Sequence, residues 1–138
     1  MTDVLDTDSL SLWQHGHSVV SARVAEHSPG DLAVAVITVP EQLDGWHSQL
    51  ARAKRPEQLA RVYDLLADSV RFLARLQILS FTEPAISRYE HLRSLKLNIG
   101  KMDLRIAAIV LEHGATLITR NRRDFQRIPG LLIEDWSA

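Results

Sequence analysis

Short, nearly unbroken apolar runs alternate along the chain with longer segments in which apolar residues recur every three or four positions. The short runs predict strands at residues 4–5, 32–38, 78–81, 115–119 and 131–133. The periodic segments predict helices at residues 17–27, 39–54, 57–77, 83–97 and 100–113. Because strands alternate with helices, we expect a three-layer α/β/α fold with a mainly parallel central sheet.

Two of these segments are predicted to be buried on all sides. The strand at 32–38 does not alternate between apolar and polar residues, which is typical of a strand covered on both faces. The helix at 100–113 is almost wholly apolar from Leu104 to Leu111, and Gly114 stands where a helix-ending glycine belongs. The polar residues 6–9 after the first strand predict a loop or the start of a helix.

Composition sets limits on the class of protein. A chain of 138 residues with 46% hydrophobic and 24% charged residues is expected to form one domain, residues 1–138. The absence of cysteine excludes disulfides, a thiolate zinc site and a cysteine nucleophile. The longest apolar run, 32–39, is too short to cross a bilayer, and the N-terminus is acidic rather than basic. We therefore expect a cytoplasmic protein with no membrane association.

The net charge of −1 conceals an uneven distribution of charge along the chain. Residues 1–50 contain seven acidic residues and one basic residue, whereas residues 51–101 contain ten basic and five acidic residues. Most of the basic residues are arginines, which bind phosphate through paired hydrogen bonds. A phosphate-rich partner is one explanation, and solvated helix faces are the simpler alternative.

Oxygen-bearing side chains follow several of the predicted strands. Parallel strands place their carboxyl ends at one edge of the sheet, where ligands bind in such folds. Asp103 lies in the first turn of the buried helix, next to its apolar run. The residues that this placement brings toward one edge are Asp6, Thr7, Asp8, Thr38, Glu41, Asp103, Thr119, Asn121 and Asp124.

Clustered carboxylates stay ionised together only when a cation lies between them. Oxygen ligands without cysteine favour Mg²⁺ or Mn²⁺ over structural zinc. Taken singly, each residue has a structural alternative, because an Asp or Thr after a strand is often a helix cap or a turn residue. The chain has no HExxH, GxGxxG or GxxxxGK[ST] motif, so nothing supports a zinc protease or a dinucleotide or P-loop site.

Four segments in order along the chain resemble the PIN-domain ribonucleases, specifically the VapC-type toxins of bacterial toxin–antitoxin pairs. The opening VLDTDSL resembles the family's LDTN, with Asp8 where Asn is commoner, and ITVPEQLDGW resembles its ITxxEL segment. IGKMDLRIAA is close to the family's IGxxDLxIAA. TLITRNRRDFQRIPGLLIEDW resembles the closing TLVTxNxxDFxxxxGLxxxDW. A departure is Ala35-Val36, since many relatives have Ser before the IT pair.

The resemblance implies a PIN-like fold and a Mg²⁺- or Mn²⁺-dependent endoribonuclease. The implied metal-binding acids are Asp6, Glu41, Asp103 and Asp124, and Thr7, Thr119 and Asn121 would orient carboxylates or water. The implied RNA contacts are Lys101, Arg120, Arg122 and Arg123. The implied partners are the RNA substrate, a small antitoxin protein and a second copy in a homodimer.

Two other functions fit parts of the sequence. The segment Asp6 to Ser9 resembles the start of the DxDx[TV] motif of haloacid-dehalogenase-like phosphatases, in which the first Asp is a nucleophile. That motif fails at Leu10, and no pair of late acids follows a strand. The second alternative is a non-catalytic RNA-binding or protein-interaction module on the same fold.

Overall fold

A computed structural model describes residues 1–138, which form a five-stranded sheet with helices on both faces. All four strand pairs are parallel, and the strand order is β3-β2-β1-β4-β5. The predicted α/β/α architecture and parallel sheet are therefore confirmed. The strands are β1 (Asp3–Leu5), β2 (Leu32–Ala35), β3 (Gln77–Leu79), β4 (Thr116–Ile118) and β5 (Leu132–Glu134).

Seven helices connect the strands and cover the sheet. The helices are α1 (Thr7–Gln14), α2 (Ser18–Ala25), α3 (Thr38–Arg52), α4 (Pro56–Ala74), α5 (Glu83–Ser94), α6 (Lys101–Glu112) and α7 (Arg122–Phe125). One apolar cluster joins the sheet to α5 and α6, and a second joins it to α1, α2 and α4. Trp136, which is 1% exposed, belongs to the second cluster and anchors the C-terminal segment to it. None of the helices combines the length and the apolar character that a membrane span requires.

The second strand is buried along its whole length, as predicted, but it is shorter than predicted. Its pairing with β3 ends at Ala35, which lies opposite Leu79. Ile37 already has helical backbone angles (φ −57°, ψ −34°), and Thr38 begins α3. The prediction of a strand over 32–38 is therefore wrong for residues 36–38. Val36 and Ile37 are apolar because they pack against the core, not because they belong to a strand.

Other boundaries also differ from the predictions by a few residues. Helix α4 ends at Ala74 rather than at residue 77, and β3 begins and ends earlier than the predicted strand 78–81. Helix α5 ends at Ser94 rather than at 97, because Lys96 takes a left-handed backbone conformation (φ 51°) that a helix cannot continue through. The four-residue helix α7 was not predicted.

Helix α6 is confirmed as the buried central helix. Its residues Ile106 to Val110 are all at most 2% exposed, and Gly114 follows it with a φ of 59°. That positive φ is the conformation in which glycine ends a helix without strain. The N-terminus of α6 carries Asp103, so the burial of this helix fixes that acid relative to the sheet.

Candidate active site

The sheet has one point where the chain changes direction, and the candidate site lies there. From β1 the chain builds outward through β2 to β3 and then crosses to β4 on the other side of β1. A ligand in an open parallel sheet binds at the carboxyl ends of the strands that flank such a reversal. Asp6 follows β1 directly, and its backbone amide donates to the carbonyl of Ile118 at the end of β4 (3.0 Å).

A cavity of about 420 Å³ opens at this position. It brings together three of the four predicted metal-binding acids with one of the predicted RNA contacts. Ile106 and Phe125 from the apolar core complete its wall, which the sequence did not indicate. The lining residues are Asp6, Thr7, Asp8, Glu41, Asp103, Ile106, Arg120, Asn121 and Phe125.

Asp6 is both a helix cap and a member of the acidic cluster. Its carboxylate accepts a hydrogen bond from the Ser9 amide at 2.7 Å and caps α1, so its helix-capping alternative holds alongside its place in the cavity. Asp6 is only 8% exposed, and this burial raises the pKa of its carboxyl. Hydrogen bonding to Thr119 and Ser9 opposes the pKa increase without cancelling it.

Glu41 reaches the cavity from the first turn of α3, and Thr7 holds it there. The Thr7 hydroxyl donates to Oε1 of Glu41 at 3.0 Å and lies 3.2 Å from the hydroxyl of Thr38. Thr38 is fully buried, so it fixes the position of this hydroxyl pair. The early end of β2 is what places Glu41 one helical turn from the sheet edge.

Asp103 is the acid whose carboxyl the charges of the other three predicted acids affect. Its carboxyl lies partly buried, and burial is the main cause that raises its pKa. The negative charges of Asp6, Glu41 and Asp124 raise this pKa further. Asp103 is therefore close enough to each of the other three predicted acids for their charges to act on it.

Asp124 is near this cluster, but other side chains of the protein bind it. Its carboxylate accepts from Asn121 Nδ2 at 3.0 Å and from Arg127 Nη2 at 2.5 Å, and these bonds lower its pKa. Asn121, not Asp124, lines the cavity. The backbone amide of Asn121 donates to the buried hydroxyl of Thr119 at 3.0 Å. The role of Asp124 as a fourth metal-binding acid stays a prediction.

Asp8 also lines the cavity, at the sheet edge where its place after β1 predicted it, although it was not among the implied metal-binding acids. Arg120 donates to both of its carboxylate oxygens, from Nε to Oδ2 at 2.7 Å and from Nη2 to Oδ1 at 2.9 Å. Its position two residues after Asp6 was the available signal. Of the four predicted RNA contacts, Lys101, Arg122 and Arg123 are exposed outside the cavity wall, and Arg120 alone lies in it.

The lining residues suit a hard divalent cation by their chemistry. Every candidate ligand offers oxygen. The pKa of Asp103 is raised first by burial and then by the neighbouring carboxylates, and a cation would relieve the second cause. The structure holds no group of three or more acidic or histidine side chains at the spacing of a formed metal site. The carboxylates would therefore have to draw together around an ion.

Comparison with known proteins agrees with this fold and this site. The family model described as PIN domain matches residues 4–131. Ribonuclease VapC2 of Rickettsia felis is 33% identical over 109 residues, which are 76% of this chain and 74% of that protein. Ribonuclease VapC1 of Haemophilus influenzae strain R2866 is 30% identical over 143 aligned positions and covers 99% of both chains. In the structure of DNA-bound VapBC from Salmonella typhimurium, one chain aligns with a TM-score of 0.82 at 25% identity, over 99% of this chain and 98% of that one.

The fold and the acidic cavity define an α/β protein of the PIN type. The chain belongs to the PIN domain family and, within it, to the VapC ribonucleases. The resemblance read from the four sequence segments is thereby confirmed. The roles of the individual site residues remain predictions.

Proposed function

We propose that this protein is a Mg²⁺- or Mn²⁺-dependent endoribonuclease and the toxin of a type II toxin–antitoxin pair. Its relatives named ribonuclease VapC support the nuclease activity. The observation that carries the metal dependence is the crowding of Asp6, Glu41 and Asp103 around one cavity. Three carboxylates in one partly buried site repel one another, and a divalent cation offsets that repulsion.

Asp6, Glu41 and Asp103 would hold the ion. Asp124 would join them as a fourth acid by giving up one of its bonds to Asn121 and Arg127, which now occupy both of its oxygens. A bound ion would polarise the scissile phosphate and lower the pKa of the attacking water. Thr7 orients the Glu41 carboxylate, and Thr119 holds the backbone of Asn121, which lines the cavity. Arg120, Arg122, Arg123 and Lys101 lie around this edge as candidate contacts to the RNA backbone.

The partner of the toxin is proposed to be a small antitoxin protein that masks the acidic edge. Helix α4 leaves several large apolar side chains exposed, among them Leu59 at 41%, Tyr63 at 55% and Val70 at 49%. An exposed apolar helix face of this kind suits an amphipathic partner helix. The solved VapBC structures among its structural neighbours support such a partner. A homodimer and a cytoplasmic location are further expectations.

The phosphatase alternative fits the site less well. The motif that would make Asp6 a nucleophile fails at Leu10, and its second acid, Asp8, is bound through both oxygens by Arg120. A phosphoenzyme trapped on Asp6 would nevertheless overturn the nuclease proposal. The non-catalytic module is distinguished by metal binding, since an inert module has no need for a tight Mn²⁺ site at the acidic edge.

The direct test is incubation of the purified protein with total RNA in the presence of Mg²⁺ or Mn²⁺. We expect cleavage that a chelator abolishes and that added metal restores, with ends that map to a limited set of positions. Asp103→Asn protein, purified in the same way, controls for contaminating ribonuclease. Intact RNA in every metal condition would overturn the proposed function.

A further inference from the structure

Arg120 is the one basic residue among the acids that line the cavity, and it forms an ion pair with one of them, Asp8. Arg120 uses Nε and one N–H of Nη2 to bind both oxygens of Asp8. The two side chains come from different ends of the chain, 112 residues apart. This pairing is not one that charge alone requires, because Asp6, Glu41 and Asp103 offer other carboxylates in the same cavity.

The bidentate bond leaves most of the guanidinium free. An arginine side chain has five N–H donors, of which two are used here. The other three make no hydrogen bond within the protein, and the side chain is 48% exposed. Two other acids, Asp135 and Asp6, act on Arg120 by their charge. Asp135 accepts from the amide and hydroxyl of Ser137 at 2.8 and 2.6 Å, and Asp6 accepts from the Ser9 amide at 2.7 Å, so neither is hydrogen-bonded to Arg120.

We propose that Arg120 binds a non-bridging phosphate oxygen of the RNA at the cavity, and that Asp8 is a positioning residue that holds the guanidinium there. The proposal rests on the proposed ribonuclease function. An anionic backbone that enters a cavity lined by four acidic residues needs a cation in its wall, and Arg120 is the one cation that lines it. Two hydrogen bonds to Asp8 already fix the guanidinium, and its remaining N–H groups are free to donate to a phosphate.

The same geometry argues against Asp8 as a metal ligand. Both of its oxygens already accept from Arg120, whereas the Glu41 carboxylate accepts only one hydrogen bond, from the neutral hydroxyl of Thr7. Exposed ion pairs contribute little to stability, so the value of this pair lies in where it places the guanidinium. Asp8 should therefore affect the reaction through Arg120 and not through the ion.

The test is a double-mutant cycle on cleavage of a short RNA at saturating Mg²⁺. Arg120→Ala should lower kcat/KM at least 10-fold. Asp8→Ala should lower kcat about 10-fold without raising KM, because the change removes a negative charge but releases the arginine. In the Arg120→Ala background, Asp8→Ala should lower kcat no further. A loss of kcat from Asp8→Ala that is the same in both backgrounds would overturn the proposal.

Two binding measurements separate positioning from metal ligation. In Asp103→Asn protein, which does not cleave, Arg120→Ala should weaken RNA binding about 10-fold and reduce the salt dependence by about 0.7 in log–log slope. Asp8→Ala should leave Mn²⁺ affinity within about threefold of the unmodified chain by calorimetry. A 10-fold or larger loss of Mn²⁺ affinity would make Asp8 a ligand and overturn its positioning role.

The controls separate this proposal from the function on which it rests. Arg88→Ala breaks a matched arginine–carboxylate pair, with Glu112 at 2.5 Å, outside the cavity wall and should leave RNA binding within twofold. Arg120→Lys keeps the charge without the bidentate fork and should recover less than half of the lost affinity. If the unmodified chain fails to cleave RNA with metal, the proposed function fails; if it cleaves and Arg120→Ala does not weaken RNA binding, this inference alone fails.

Discussion

The Thr7 hydroxyl donates to the Glu41 carboxylate at 3.0 Å, across 34 residues of sequence. Thr7 directly follows Asp6, so the residue next to one candidate metal-binding acid positions another. The contact joins the start of α1 to the first turn of α3, at the edge where β1 and β2 end. Thr7, the threonine of the LDT segment, therefore has a structural role beyond α1: its hydroxyl orients the Glu41 carboxylate on α3.

Replacement of Thr7 tests whether this contact matters for metal binding. Thr7→Val keeps the shape of the side chain but removes the donor, so Glu41 loses its fixed orientation. We expect Mn²⁺ affinity to fall about 10-fold, in the range typical for the loss of a hydrogen bond to a metal ligand. Thr7→Ser keeps the hydroxyl and should retain most of the affinity. Equal losses in the two variants by calorimetry would show that the hydroxyl is not what sustains the affinity, and would overturn this role of Thr7.

Neutralisation of the buried acids should abolish cleavage and leave the fold intact. Asp6→Asn retains a helix-capping side chain, and Asp103→Asn removes the charge on which the other acids converge. Both variants should keep their circular dichroism spectra and a metal-free stability equal to or above that of the unmodified chain. Cleavage at the original rate with metal present, in either variant, would remove that residue from the site.

The raised pKa of Asp103 gives the metal-free protein a pH dependence of defined sign. A carboxyl whose pKa is higher in the folded state stabilises the fold at pH below its unfolded pKa of about 3.9, and this contribution is lost as pH rises through the folded value. In urea unfolding with chelator, the free energy of unfolding of Asp103→Asn should therefore exceed that of the unmodified chain by an amount that grows between about pH 4 and pH 7. With saturating Mn²⁺ the unmodified chain should instead be the more stable of the two proteins, because only its site binds the ion tightly. A gain that is constant across this pH range would contradict the assignment.

The sequence predicted the layers and the parallel sheet because strands buried on both faces leave unbroken apolar runs. It failed where an apolar residue packs without belonging to a strand. Val36 and Ile37 continue the run of β2, yet the ladder has already ended at Ala35. Periodicity cannot separate these cases, since helix starts and strand ends bury the same kinds of side chain.

The candidate site was predictable where side chains follow strands and less so where side chains pair with each other. Asp6, Glu41 and Asp103 come together because their elements meet at one edge. The bond between Asp124 and Arg127 is an i,i+3 pair that depends on the turn at α7, a helix that was not predicted, and the bond between Asp8 and Arg120 joins residues 112 apart. Those contacts decide which acids remain free for an ion, and the second has no signal in the sequence spacing.

The toxin role predicts a growth phenotype that a partner suppresses. Expression of this chain alone should slow the growth of a bacterial host, and co-expression with the neighbouring open reading frame should restore it. The partner should carry an Arg or Lys that reaches the carboxylates, because the cavity is acidic. Expression of Asp103→Asn at the same level is the control and should not slow growth. Equal growth in all three cultures would count against the toxin role.

The basic residues around the cavity predict a moderate salt dependence of RNA binding. Binding to phosphates releases counterions, so log affinity falls with log salt at a slope of about −0.7 for each phosphate neutralised on a single strand. The ten basic residues from Arg52 to Lys101 lie on α3, α4, α5, the start of α6 and the segments that join these helices. They point in many directions, so most cannot reach one strand of RNA. Arg120 lines the cavity, and Arg122 and Arg123 follow it in the sequence. With one or two further residues we expect about three to five contacts and a slope of about −2 to −3.5.

Fluorescence anisotropy of Asp103→Asn with a short labelled RNA over a salt series measures this slope. Omission of Mg²⁺ at constant ionic strength should weaken RNA binding, because the uncompensated acids repel the phosphates. A slope near zero would show that phosphates do not hold the RNA, and the protein would then be better explained as an interaction module.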